Sequence, residues 1–257
     1  MKKNAFVTGL PVAFAVILAA LGALCGAVVH VATDEAFYLD ESRLAVARYL
    51  GREIGEDGLT ELDETAVTKY VGLTREEQRE FAEQVSLFIR MPLATFENFD
   101  ILNERERQHM RDVRDLIVHA ERVARAFMSV ATALAVAGAW TGAGLKRRKR
   151  VALLGALAGF GALALIAGGA VLAMNTSGFE RLFVLMHETL FTNDLWLLNP
   201  STDVLIRMMP QPLFERALAL VLAQAGATLA VTLALLAASH LLVCGMIQRN
   251  LTGKVSA

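Results

Sequence analysis

Two histidines stand in polar surroundings that favour proton transfer. His187 lies in the stretch MHETLFTNDLWLLNP, close to Glu188, Asn193 and Asp194, and His109 lies in a second charged stretch, ERERQHMRDVRD. Imidazole titrates near neutral pH, so a histidine can take up and release a proton under ordinary conditions. A lone histidine among phenylalanines is more often a packing residue, and the polar neighbours weigh against that interpretation here. The two rings can act together only if their segments meet in the folded chain.

Motifs for other site chemistries are missing from the sequence. It contains no His-x-x-His, Cys-x-x-Cys or His-Glu-x-x-His pattern, and a zinc site needs three or four ligands at suitable distances, so metal binding is the minor alternative. It also contains no Gly-x-Ser-x-Gly motif, and we expect no acyl-serine or acyl-cysteine intermediate. Cys25 and Cys244 lie in apolar runs and are interpreted as packing residues. The remaining histidines, His30, His119 and His240, lack comparable polar surroundings and are interpreted as structural.

The composition and the apolar runs of the chain indicate a membrane protein, whose helices must position the two histidines. The 257 residues are 55% hydrophobic and have a mean hydropathy of +0.46, above the usual balance of soluble proteins. Four apolar runs are long enough to cross a bilayer, which takes about 20 residues: residues 5–31, 126–145, 151–174 and 217–247. The first run is much longer than a signal-peptide core and is interpreted as an uncleaved anchor. We predict an all-α fold: a polytopic membrane protein with four transmembrane helices and a small, mostly helical extracytoplasmic region, forming a single membrane domain over residues 1–257.

Short basic segments indicate the orientation of the spans. A Lys-Lys pair precedes the first run, residues 146–150 (KRRKR) separate the second from the third, and Arg249 and Lys254 follow the fourth. By the positive-inside rule these segments are cytoplasmic. Both termini are therefore predicted to be cytoplasmic, and residues 32–117 and 175–215 to be extracytoplasmic.

The charge of the first extracytoplasmic segment limits the class of partner. Residues 33–117 hold 20 of the 26 acidic residues and 11 of the 25 basic residues. A basic surface of the kind that binds nucleic acid is therefore not expected.

Two helices are predicted before the His109 segment. Residues 34–51 carry apolar side chains at helical spacing among charges, which favours a short surface helix. Thr74 and Glu77 have the spacing of a capping box, in which each side chain bonds the other residue's backbone amide. A helix from residue 75 to about residue 90 follows, ended by Pro92. Four apolar side chains are predicted on its buried side: Phe81, Val85, Phe88 and Ile89.

The His109 segment has no helix breaker. Residues 104–116 follow Asn103, contain neither glycine nor proline, and can continue without a break into the second span. In that case one helical face carries His109 together with Asp112, Val113 and Leu116.

The His187 segment combines an aromatic stripe with polar turns. Three aromatic rings and one imidazole recur every four residues and share one side of a helix: Phe179, Phe183, His187 and Phe191. Such a helix suits the outer membrane interface, and Trp196, among leucines, suits the headgroup boundary. Asn199 and Pro200 predict a cap with proline at the first helical position, followed by a short helix over residues 201–209.

Two blocks of the sequence resemble the bacterial lipoprotein intramolecular transacylases. They are residues 102–114, LNERERQHMRDVR, and residues 183–210, FVLMHETLFTNDLWLLNPSTDVLIRMMP. That family pairs a His-Met-x-Asp-Val-Lys-like block before its second span with a His-x-x-x-Phe-x-Asn-Asp-x-Trp block before its fourth. Arg114 stands where the family pattern has lysine, and Asn199 where an acid is common. The resemblance covers both blocks, the number of spans and, loosely, the helix start at Thr74.

The resemblance implies an acyltransferase. In that family the sn-2 acyl chain of a diacylglyceryl-cysteine lipoprotein moves to the α-amino group of the cysteine, which leaves a lyso-form lipoprotein. His187 and His109 match the family's catalytic pair. We assign His187 as the general base and then the general acid, and His109 as the group that orients it or stabilises the oxyanion. Supporting or substrate-binding roles are assigned to six residues: Asp112, Arg114, Arg105, Asn193, Asp194 and Trp196.

The same resemblance implies the partners and the location. The expected partners are a diacylated lipoprotein N-terminus and membrane lipids, without nucleic acid, metal or cofactor. The protein is expected to act as a monomer in the bacterial plasma membrane, with its active site toward the extracytoplasmic face. The alternative is a non-catalytic membrane scaffold that binds lipid or docks a partner protein.

Overall fold

The fold is helical throughout the part of the chain that the structure describes. The structure is a computed structural model, and it describes residues 5–54, 64–91, 101–140, 161, 164–165, 168–169 and 178–253. Every regular element in these residues is a helix, and no strand occurs in them, which confirms the predicted all-α class. The helices, in chain order, are α1 Ala5–Ala32, α2 Glu35–Ile54, α3 Glu64–Val71, α4 Arg75–Arg90, α5 Glu104–Trp140, α6 Gly178–Leu190, α7 Val204–Met208 and α8 Gln211–Gly253.

Two helices are long and apolar enough to cross a membrane. The candidate spans are Phe14–Ala32 in α1 and Gln211–Leu235 in α8. Of the other two predicted spans, residues 126–140 belong to α5, whereas residues 141–145 and most of residues 151–174 lie outside the described residues. Two predicted spans are therefore supported by helices of sufficient length and hydropathy, and the other two stay predictions.

The chain forms two compact units, and small side chains dominate the described core of the first. This unit comprises residues Met1–Ala27, Glu121–Gly169 and Leu222–Ala257. Its buried cluster consists of Ala19, Ala20, Ala23, Ala131 and Leu229. A Cβ atom added to Gly22 would lie 3.0 Å from Met128 Cγ, a tight contact. Small residues thus let α1 and α5 approach closely, as is typical of helices packed in a membrane.

The second unit comprises residues Val28–Ala120 and Ala170–Val221, and α4 follows its sequence prediction closely. Thr74 Oγ1 accepts a hydrogen bond from the Glu77 amide at 3.3 Å, and Glu77 Oε2 accepts one from the Thr74 amide at 2.7 Å. This confirms the capping box. The four side chains predicted to be buried are buried, and α4 packs against α2. The helix ends at Arg90, and the predicted stop at Pro92 lies outside the described residues.

The surface helix predicted over residues 34–51 is α2. Asp34 Oδ1 accepts a hydrogen bond from the Ala36 amide at 3.0 Å and so satisfies a free donor at the helix start. Arg90, at the end of α4, donates to the carbonyl oxygen of Thr33 at 2.8 Å. The end of α4 is therefore tied to the start of α2.

The helix that carries His109 is continuous and begins with a second capping box. α5 runs unbroken from Glu104 to Trp140. Asn103 Oδ1 accepts from the Glu106 amide at 3.0 Å, and Glu106 Oε2 accepts from the Asn103 amide at 2.8 Å. The other carboxylate oxygen, Oε1, accepts from the Leu205 amide at 2.7 Å. One buried side chain thus bonds the first turns of both α5 and α7.

Helix α7 is shorter than the sequence predicts. It spans Val204–Met208 rather than residues 201–209. Asp203 Oδ2 accepts from the Asn199 amide at 2.7 Å, and Asn199 Oδ1 accepts from the Ser201 amide at 2.9 Å. The prediction that Pro200 takes the first helical position is wrong, because these side chains bond the backbone amides in a closed turn before the helix.

Glu106 makes the stability of the fold depend on pH. Its side chain is 1% exposed, and burial raises its pKa, with the negative charge of Asp203 adding to that effect against the hydrogen bonds that it accepts. A carboxyl whose folded pKa exceeds its unfolded value of about 4.3 binds more protons in the folded state. The additional bound proton stabilises the folded state. This stabilisation is fully present below the unfolded pKa and is lost as the pH rises through the folded pKa.

We expect Glu106→Gln to reduce the pH dependence of thermal unfolding. Glutamine is neutral at every pH, so the linked proton uptake disappears. It also presents an NH2 group to one of the two amide donors, and an unsatisfied buried donor costs about 1–3 kcal/mol. The measurement is the midpoint of thermal unfolding in detergent from pH 4 to pH 8. A slope against pH equal to that of the unaltered protein contradicts the assignment.

Candidate active site

His187 is held in one tautomer by its own helix. It lies in the last turn of α6 and is 5% exposed. Its Nδ1 is 2.8 Å from the carbonyl oxygen of Phe183. A carbonyl oxygen only accepts hydrogen bonds, so Nδ1 carries the proton of the neutral ring. The lone pair then lies on Nε2, which is the arrangement that a general base needs.

His109 faces His187 from α5. The centroids of the two rings are 5.9 Å apart, and the ring planes are inclined by 36°. His109 is 7% exposed, and its Nδ1 is buried without a hydrogen-bond partner among the described residues. An unpaired buried polar atom is costly and is expected to find a partner when a polar group binds. The structure therefore brings together the two histidines that the sequence singled out, although 78 residues separate them.

Both imidazoles are neutral at neutral pH. Burial, with a smaller contribution from the His187 ring, lowers the pKa of His109 to about 4, although Asp112 acts in the opposite direction. Burial also lowers the pKa of His187, against the opposing effect of its hydrogen bond to the Phe183 carbonyl. Neutral rings suit proton exchange, because each has one nitrogen that donates and one that accepts.

Three aromatic rings surround His187. Its ring centroid lies 4.0 Å from that of Phe183, 5.0 Å from that of Trp196 and 5.4 Å from that of Phe191. Phe191 also stands edge-on to His109, with centroids 5.3 Å apart. The stripe predicted from the sequence is therefore present. Trp196 contacts the imidazole itself, a role that the interpretation as a headgroup residue did not anticipate.

The loop after α6 is tied to α5 at two points. Asn193 Nδ2 donates to Asp112 Oδ2 at 2.9 Å. Arg105 donates to the carbonyl oxygen of Asp194, and its Nη2 lies 3.7 Å from Asp194 Oδ1. Trp196 follows Asn193 by three residues and Asp194 by two, so these contacts hold it beside His187. Four of the proposed supporting residues thus join the two histidine segments.

The Arg114 side chain contacts helix α4. Its guanidinium carbon is 4.3 Å from the centre of the Phe88 ring, and its Nε is 4.0 Å from Asp115 Oδ1. The contact with Phe88 joins α5 to α4.

Sequence reasoning missed a buried polar network beside the site. Asn103 Nδ2 donates to Asp203 Oδ1 at 3.0 Å, and Glu106 and Asp203 are 1% and 6% exposed. The signal was present as an asparagine followed three residues later by glutamate, which is a capping-box pattern. Among the described residues, no three His, Cys, Asp or Glu side chains gather as metal ligands.

A known protein family matches more than half of the sequence. The profile of the family described as "Lipoprotein intramolecular transacylase Lit" matches residues 59–214, which is more than half of the chain and includes both histidines. No curated protein matches the sequence.

Solved structures of a Bacillus cereus protein share the fold. One is described as the "membrane integral lipoprotein intramolecular transacylase Lit", and it matches with a TM-score of 0.62 and 19% identity over 94% of this chain and 98% of that chain. A variant of that protein with histidine replaced by arginine matches with a TM-score of 0.60 and 16% identity, over 96% and 94% of the two chains. A variant with histidine replaced by alanine matches with a TM-score of 0.60 and 17% identity, over 95% and 96%.

These comparisons agree with the resemblance first seen in the two histidine blocks. The likeness to a membrane-integral protein, together with the apolar helices α1 and α8, supports a membrane location. The profile match extends over both blocks and the segments between them. The chain belongs to the lipoprotein intramolecular transacylase family, and it is an acyltransferase.

Proposed function

We propose that the protein moves the sn-2 acyl chain of a diacylglyceryl-cysteine lipoprotein to the α-amino group of the same cysteine. The product is a lyso-form lipoprotein. The observation that carries the proposal is the pair of buried, neutral imidazoles of His109 and His187, with ring centroids 5.9 Å apart. Family membership supports the lipoprotein as the substrate.

In the first step the amine attacks the ester carbonyl carbon. The new N–C bond forms, the carbonyl π electrons move to oxygen, and His187 Nε2 accepts the proton that the nitrogen loses. The Nδ1 bond to Phe183 supports this role, because it leaves Nε2 as the basic nitrogen. An N–H group of neutral His109 is assigned to the oxyanion, which needs a donor aimed at the developing charge.

In the second step the tetrahedral intermediate collapses. The carbonyl re-forms, the bond to the sn-2 glyceryl oxygen breaks, and the imidazolium of His187 returns its proton to that oxygen. The products are an amide and a free hydroxyl, so no proton is gained or lost overall. Protonation of the leaving oxygen is essential, because an alkoxide is a poor leaving group.

The substrate supplies its own nucleophile. The amine and the ester belong to one molecule, and well-aligned intramolecular groups gain about 7–11 kcal/mol over separate reactants. An α-amino group has a pKa of about 8, so part of it is neutral at ordinary pH. A serine or cysteine nucleophile is therefore not required, in accord with the lack of such a motif.

The supporting residues divide between positioning and charge. Asp112 and Asn193 are proposed to hold the loop, and Arg105 and Asp194 to add a second tether close to the rings. Trp196 is proposed to position His187. Arg114, which contacts Phe88, is proposed to add positive charge to the surroundings of the substrate.

The proposed location follows from the positive-inside rule. The basic segments predict that both termini are cytoplasmic and that residues 32–117 and 175–215 are extracytoplasmic. The protein is proposed to be a monomeric, four-span, single-domain protein of the bacterial plasma membrane. Its active site then faces the extracytoplasmic side and acts on lipoproteins among membrane lipids.

A tandem mass spectrum of a reporter lipoprotein tests the function. The transfer is an isomerisation, so the intact mass of the N-terminal lipopeptide does not change. The fragment lost at the thioether carries two acyl chains in the substrate and one in the product. We expect the one-chain fragment when the protein is expressed in a bacterium whose lipoproteins are otherwise diacylated. Two-chain fragments alone contradict the proposal and favour a lipid- or partner-binding scaffold.

A further inference from the structure

His187 has an aromatic cage and no carboxylate partner in the described part of the chain. The cage consists of Phe183, Phe191 and Trp196, whose ring centroids lie 4.0, 5.4 and 5.0 Å from that of the imidazole. The Nδ1 proton of His187 goes to a neutral backbone carbonyl. A histidine that acts as a base becomes a cation, and a carboxylate commonly stabilises that cation in other active sites.

The charged groups around the ring are engaged elsewhere or exposed. On α5, Asp112 accepts from Asn193 and influences His109, which is the titratable ring that faces His187. On the loop, Asp194 is paired with Arg105. On α6 itself, Glu188 follows His187 and is exposed.

We infer that the aromatic cage, with Trp196 as its principal ring, stabilises the imidazolium that His187 forms during acyl transfer. The inference rests on the proposed function and deepens it. The face of an aromatic ring carries negative potential and attracts a cation within about 6 Å of its centroid, and tryptophan attracts it most strongly. The attraction is stronger where water is excluded, and His187 is 5% exposed.

The tethers of the loop acquire a function from this arrangement. Trp196 comes from an irregular segment, and two residues of that segment, Asn193 and Asp194, are bonded to Asp112 and Arg105 on α5. These four side chains are then positioning residues that act through the indole ring. Their exposed fractions are larger than those of the histidines, as suits tethers at the edge of a site.

Stepwise fluorination of tryptophan tests the cage with little change of volume. Fluorine withdraws electron density and weakens the ring quadrupole. The chain has two tryptophans, so a Trp140→Phe background leaves Trp196 as its sole tryptophan. We propose to incorporate mono-, di- and trifluorinated tryptophan biosynthetically and to titrate the imidazole carbons by NMR in lipid nanodiscs. The chain has five histidines, and the loss of one resonance in His187→Gln identifies the signal of His187.

The pKa of His187 is expected to fall at each fluorination step, by about 0.5 to 1 pH unit across the series. The sign follows because a weaker quadrupole favours the neutral ring over the cation. Leu197→Ala is the matched control for disturbance of the loop, since Leu197 is 56% exposed, and it should leave the pKa unchanged. A pKa that stays constant or rises with fluorination overturns the inference.

The rate of acyl transfer separates this inference from the proposed function. We expect the rate to fall in step with the pKa of His187, by up to about tenfold. Acyl transfer together with a constant pKa refutes the cage and leaves the proposed function intact. A falling pKa in a protein that transfers no acyl chain supports the cage and refutes the proposed function.

Discussion

Replacement of His187 by alanine is expected to abolish acyl transfer, with a loss of about 10²- to 10⁴-fold. The change removes the one nitrogen that is proposed both to take the proton of the amine and to return it to the leaving oxygen. The hydrogen bond of Nδ1 to the Phe183 carbonyl leaves Nε2 as the basic nitrogen of the ring that faces His109. The measurement is the fraction of one-chain fragments in the tandem mass spectrum of the reporter.

His119→Ala is the matched control for that experiment. His119 lies on α5, is exposed, and bonds the carbonyl oxygen of Asp115 four residues earlier through Nδ1 at 2.8 Å. It therefore has the same local hydrogen bond as His187 without the aromatic surroundings. We expect the His119→Ala variant to transfer acyl chains at the rate of the unaltered protein. Full activity in His187→Ala, with both variants equally folded, refutes the proposed role of His187.

Helices α2, α4 and α6 of the second unit were predictable because their signals are local, whereas α3 was not predicted. The capping box at Thr74 and Glu77 and the buried face of α4 depend on residues within two turns of one another, and the structure confirms both. The spacing of the aromatic stripe likewise predicts the shared face of α6. The same local reasoning placed α7 three residues too early, because competing side-chain bonds of Asn199 and Asp203 close a turn before the helix.

The contacts that complete the site were beyond sequence reasoning because they join distant segments. Trp196 lies among leucines, which is typical of a residue at the membrane interface. Nothing in the neighbouring sequence indicates that it contacts an imidazole. Glu106 bonds an amide 99 residues further along the chain. A pattern of spacing identifies which residues share a helix face, but the partner of that face depends on tertiary packing.

Replacement of His109 by alanine is expected to reduce acyl transfer by about 10²- to 10³-fold, the usual effect of losing one oxyanion donor. His109 is neutral, since burial lowers its pKa to about 4, so it can supply a hydrogen bond but little positive charge. The rate constant of single-turnover transfer in detergent micelles is the quantity to measure. Met110→Ala, which truncates another buried side chain of α5, controls for the effect of a cavity on the fold.

The amide variant His109→Gln distinguishes the two roles proposed for His109. Glutamine keeps an N–H donor but cannot exchange a proton near neutral pH. If His109 donates to the oxyanion, His109→Gln should transfer acyl chains at least about tenfold faster than His109→Ala, because a partial donor restores part of the stabilisation. Equal rates for the two variants argue instead that His109 transfers protons or orients His187. In the double variant with His187→Ala, the losses should not add, because two rings that serve one transition state act as a unit.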